Sequence, residues 1–96
     1  MISVKQLSDD PLTFDVTVAE DASETRHHVT MAREDFARLS RGDTTPDQII
    51  EAAFQFLLDR EPKESILARF DVSVISRYFP EFERELSRYL GDKSGG

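Results

Sequence analysis

Ninety-six residues, 39% hydrophobic and 32% charged, read as one ordinary globular domain with room for one modest core, not as a disordered chain. The absence of cysteine excludes a disulfide framework, a thiol nucleophile and Cys-ligated zinc or iron–sulfur sites, and two histidines are too few for an all-His metal centre. Twelve Lys and Arg against nineteen Asp and Glu give a net charge of −7 with no basic run, which disfavours a nucleic-acid backbone as partner.

Ile2 to Leu7 is a β-prone run, closed by the turn residues Ser8-Asp9-Asp10-Pro11. Leu12, Phe14, Val16 and Val18 then alternate with Thr13, Asp15, Thr17 and Ala19, the period of a strand with one buried face. A polar loop, Glu20-Asp21-Ala22-Ser23, separates it from a second run, Glu24 to Met31. There Thr25, His27, Val29 and Met31 share one face, and Arg26, His28 and Thr30 take the other. The spacing predicts an antiparallel hairpin with Ile2–Leu7 as a third strand.

From residue 32 the period changes. Arg33-Glu34-Asp35 places acids in a first helical turn, Phe36 and Leu39 sit three apart, and Gly42 is placed to end the helix. Thr45-Pro46-Asp47-Gln48 is a helix start, with Thr as N-cap, Pro at the first position and Gln three residues after the cap. Ile49, Ile50, Ala53, Phe54, Phe56, Leu57 and Leu58 follow. Phe54 and Phe56 lie about 200° apart around a helix axis, so this helix is expected to be central and covered on two sides. Pro62 opens a third predicted helix through Ile66, Leu67 and Phe70. Asp71 caps a fourth through Val74, Ile75, Tyr78 and Phe79, and Pro80 breaks it. Phe82, Leu86, Tyr89 and Leu90 give a last helix its apolar spacing, and the tail 91–96 is expected to fray.

The chemistry-bearing residues are sparse. His27 shares a face with Val29 and Met31 and is expected to be partly buried with a partner for its ring, whereas His28 faces solvent. Glu81, Glu83 and Glu85 interleave with Arg77, Arg84 and Arg88 as surface pairs. The glycines, Gly42, Gly91, Gly95 and Gly96, form no phosphate loop, and the serines follow no nucleophile-elbow pattern. The expectation is a non-enzymatic protein with no cofactor and no metal. The opening Met1-Ile2-Ser3-Val4-Lys5 lacks the apolar run of a secretory leader, and no window approaches a membrane span, so a cytoplasmic location is expected.

Two interaction readings follow. Glu64 to Tyr78 has the outline of a helix-turn-helix, with a turn at Asp71 and Ser73, Ser76 and Arg77 offered to DNA base edges. The first reading is instead that Phe79, Phe82, Leu86, Tyr89 and Leu90 are the interface for a protein partner or a second copy in a homodimer, with the DNA reading as its alternative; the same five side chains equally suit a helix that closes the chain's own core. A continuous basic face around Ser73, Ser76 and Arg77 would favour DNA, and exposed Tyr78 and Phe82 would favour protein. Arg60-Glu61-Pro62-Lys63-Glu64-Ser65-Ile66-Leu67 together with the Tyr78-Phe79-Pro80-Glu81-Phe82-Glu83 run resembles a family of small uncharacterised bacterial proteins. That resemblance implies a bacterial cytosolic protein and no activity. A small sheet followed by a helix near Thr45-Pro46 also resembles strand-then-helix antitoxins in architecture.

The expected fold is a single α+β domain: an antiparallel meander of two or three strands, then four or five helices. Its expected core is Phe14, Val16, Val18, Val29, Met31, Phe36, Leu39, Ile50, Ala53, Phe54, Leu57, Leu67, Phe70, Ile75 and Phe79.

Overall fold

The computed structural model describes residues 1–94. Three strands come first: β1 (Ile2–Asp9), β2 (Leu12–Glu20) and β3 (Ser23–Met31). Helices α1 (Arg33–Leu39) and α2 (Pro46–Leu58) and a 3-10 turn at Lys63–Ser65 lead to β4 (Arg69–Asp71), then α3 (Val72–Tyr78) and α4 (Phe82–Ser94). The tail expected to fray at 91–96 begins inside α4, and residues 95–96 lie outside the described part.

The meander forms where the alternation places it. β1 pairs antiparallel with β2 across the turn at Asp10-Pro11, whose peptide bond is cis, and Leu7 bulges out between Gln6 and Ser8. β2 and β3 meet in an unbroken register from Leu12↔Met31 to Glu20↔Ser23. Their two-residue turn holds Asp21 and Ala22 at φ 53° and 65°, the left-handed geometry that suits a tight hairpin.

The sheet itself departs from the expected antiparallel meander of two or three strands. It has four strands in the order β1-β2-β3-β4, and β4 runs parallel to β3. A 3-10 turn, a short link and the fourth strand stand in place of the helix predicted from Pro62. Phe70 pairs with Val29 and turns into the core, and the His28 amide donates to the Ala68 carbonyl at 2.8 Å. These partners lie about forty residues upstream, so the local spacing of Ile66, Leu67 and Phe70 carries no trace of them. A parallel pair needs a long crossover, and the segment bearing α1 and α2 supplies it.

The inner sheet face, with Phe14, Val16, Val18, Val29 and Met31, is buried. α2 lies against β1 on one side and α4 on the other. Its start is built as the sequence implies: Pro46 occupies the first turn, and the Gln48 side chain accepts from the Thr45 amide at 3.0 Å. Phe54 points at the sheet, 5.3 Å from the His27 ring and 5.9 Å from Phe70. Phe56 points the opposite way, 5.1 Å from Phe82 and 5.8 Å from Phe79. Both are fully buried, so α2 is the central, two-sided helix.

The expected core needs one correction. Leu67 is 49% exposed, because β4 turns Phe70 inward and leaves Leu67 at the surface. Phe36 and Phe79 pack at the margin of the core, while Ile49, Ile66, Val72, Phe82, Leu86 and Leu90 join it. Among the described residues no helix is long and apolar enough to cross a membrane.

Candidate functional site: an apolar groove beside the fourth strand

Phe70 is the buried residue of β4, Ile66 lies just before that strand, and Ile75 is one of two buried residues of the following helix. With Leu57 from the end of α2, they form the floor of a groove of about 180 Å³. Val74 and Phe79 form its half-buried sides. Leu67 and Tyr78 stand at its lip, and Tyr78 is 70% exposed. Glu61 and Ser65 are the polar groups on the rim. Among the described residues neither side chain has a hydrogen-bond or ion-pair partner, whereas nearby Lys63 pairs with Glu64 at 2.8 Å.

The groove is held open by two long-range anchors. The His27 ring is 4% exposed, with Nδ1 2.7 Å from the Leu67 carbonyl and Nε2 2.8 Å from Thr25 Oγ1. A carbonyl only accepts, so Nδ1 carries the proton, and in the neutral ring the Thr25 hydroxyl donates to Nε2. This bond fixes the backbone of Leu67 at the groove lip. The second anchor is Asp71, the N-cap of α3. Its carboxylate accepts from the Ser73 amide at 3.0 Å and from the Thr30 hydroxyl at 2.5 Å. Burial pushes the Asp71 carboxyl up, but these hydrogen bonds outweigh it and the net shift is downward.

The size of the groove selects its chemistry. Pockets for drug-sized ligands start at about 300 Å³. An apolar cavity of about 150 Å³ holds one benzene ring. This groove therefore fits one large apolar side chain rather than a cofactor. Its floor offers no acid–base pair, and no group of three His, Asp or Glu among the described residues is placed to hold a metal ion.

The residues singled out from sequence end in different places. Phe82, Leu86 and Leu90 are buried in the chain's own core, and half-buried Tyr89 donates to the Asp59 carboxylate. Of the expected interface set only Phe79 reaches the groove. The C-terminal helix is instead clamped to the domain. Arg38 forks onto Glu83 at 3.1 and 2.8 Å, and Arg60 lies 3.7 Å over the Phe56 ring while pairing with Glu81 at 3.3 Å. The helix-turn-helix outlined at Glu64–Tyr78 is not built, since a 3-10 turn and a strand precede α3. Ser73 and Arg77 are exposed, Ser76 is half-buried, and Arg77 is the sole base on that helix. Sequence reasoning missed Glu61 and Ser65, and it placed Leu67 in the core. Tyr78 was the one legible signal, a large aromatic at the end of a short helix.

The outer sheet face differs in kind. Lys5, Asp15, His28 and Arg69 lie side by side across β1 to β4, and His28 Nδ1 is 3.3 Å from the Asp15 carboxylate. It is an open polar surface with a carboxylate in the middle of its cations, and it holds no large apolar group. No family model matches the chain, and no match emerges among curated proteins or solved structures.

Proposed function

We propose that this chain is a non-catalytic protein-interaction module that docks its partner in the groove beside β4. The observation that carries this reading is the coincidence of one ring-sized apolar groove with the exposed Leu67 and Tyr78 at its lip. Anchoring side chains of protein interfaces sit in such well-walled apolar pockets, surrounded by a polar rim. The buried Phe82 and the exposed Tyr78 move the docking surface from α4 to the end of α3. The absence of a basic face on α3 weighs against DNA.

The test is site-specific photocrosslinking in cells. A photoreactive residue replaces Leu67 in one variant and the exposed Lys5, on the outer sheet face, in another. The expected result is a discrete adduct from position 67 that disappears when Tyr78→Asp is added, and no adduct from position 5. Equal labelling from both positions, or none from position 67, would overturn the reading.

A further inference from the structure

The groove and its lip are complementary to each other. Tyr78 presents a phenol ring, 70% exposed, beside a groove that fits one ring. A tyrosine entering an apolar pocket needs a partner for its hydroxyl, and the exposed Ser65 on the groove rim has a hydroxyl with no partner among the described residues. Arg77, next to Tyr78, is exposed and has no ion pair, and Glu61 on the groove rim has none either. Arg60, Arg38 and Arg88 all hold carboxylates of their own, whereas Arg77, beside the groove, holds none among the described residues.

From this self-complementarity we infer that the occupant of the groove is a second copy of the chain. Each Tyr78 inserts into the other's groove, and each Arg77 pairs with the other's Glu61. The arrangement is isologous: the same patch meets itself across a two-fold axis and closes at two copies. It rests on the groove being the docking surface, as proposed above. With one ring-sized groove per copy as its anchor, the interface is a small one of the transient class.

The test combines solution mass with a probe of the groove. Sedimentation equilibrium from low micromolar to millimolar concentration is expected to show a monomer–dimer equilibrium. Arg77→Glu and Glu61→Arg should each weaken it by at least about tenfold, because like charges then face each other. The double variant should restore it, a recovery that neither a folding defect nor a general charge effect would give. In parallel, free phenol is titrated into the isotopically labelled protein. A wild type that stays monomeric throughout, with phenol shifting only the Ile66, Phe70 and Ile75 resonances, overturns the self-docking inference and leaves the groove as a site for another protein. A monomer with no phenol response removes both. A dimer indifferent to all three charge variants also overturns the inference, since its contact then lies elsewhere.

Discussion

At the scale of single residues, His27 and Ala22 show how much one position matters to the fold. His27 sits in the core beside Phe54 and satisfies the Leu67 carbonyl. His27→Ala removes the ring from a packed site and leaves that carbonyl without its donor, so it should cost about 2–4 kcal/mol in denaturant unfolding. The amide of the adjacent His28, bonded to Ala68, should also exchange its hydrogen faster as the loop before β4 loosens. Unchanged protection at His28 would contradict the anchoring role. Ala22 is the opposite case, a residue at odds with its backbone. Its φ of 65° costs a residue bearing a Cβ roughly 1–2 kcal/mol, part of which glycine's greater unfolded-state freedom would offset. Ala22→Gly should therefore stabilise the hairpin by about 0.5–1 kcal/mol and raise the melting temperature by a few degrees. A lower melting temperature would refute this.

At the scale of elements, α4 is the part whose role changes most on going from sequence to structure. Its apolar stripe, Phe82, Leu86 and Leu90, closes the core against α2. Phe82→Ala and Phe56→Ala should each cost about 3–5 kcal/mol, and a loss under about 1 kcal/mol for either would mean the helix is not held by this stripe. Charge ties hold the outer side of the same helix. The Arg38 guanidinium holds the Glu83 carboxyl below the usual range, and at Glu81 its own backbone amide, then Arg60, do the same. Asp71 is lowered too, by Thr30 and Ser73. A carboxyl whose folded pKa lies below its unfolded one adds stability that is present at neutral pH and lost as pH falls. Unfolding free energy should thus decline below about pH 4.5, the unfolded range of Asp and Glu. Glu83→Gln should flatten part of that decline, and an unchanged slope would show that this exposed pair contributes nothing, as many surface pairs do.

At the scale of the whole molecule, a net charge of −7 and the ring-sized groove beside β4 frame what the chain can bind. Specific DNA binders reach about 10⁻⁸ M or tighter at physiological salt. No sub-micromolar shift of duplex DNA is expected here. A salt-dependent shift weakened by Arg77→Ala would contradict that expectation and return α3 to the DNA reading. The polar outer sheet face sets Asp15 between the strands that carry Lys5 and Arg69 and so is not a continuous cationic track.

The sequence by itself determined the elements whose signals are local. Period-two alternation placed β2 and β3 and even the inward His27, because successive side chains of a strand must take opposite faces. Thr45-Pro46 and Asp71 placed the starts of α2 and α3, because caps answer amides within one turn. Phe54 and Phe56, two apart, declared a helix covered on both sides. What only the tertiary structure decided was every feature that needs a distant partner. β4 exists because Val29 and His28 present a strand edge to Phe70 and Ala68, and its pairing turns Leu67 outward. α4 is core and not surface because Phe56 waits for Phe82 on the far side of α2. The groove follows from the first of these, since β4, α3 and the end of α2 supply its walls. Short-range spacing says which residues can be buried, but only the long-range pairing of the folded chain says against what.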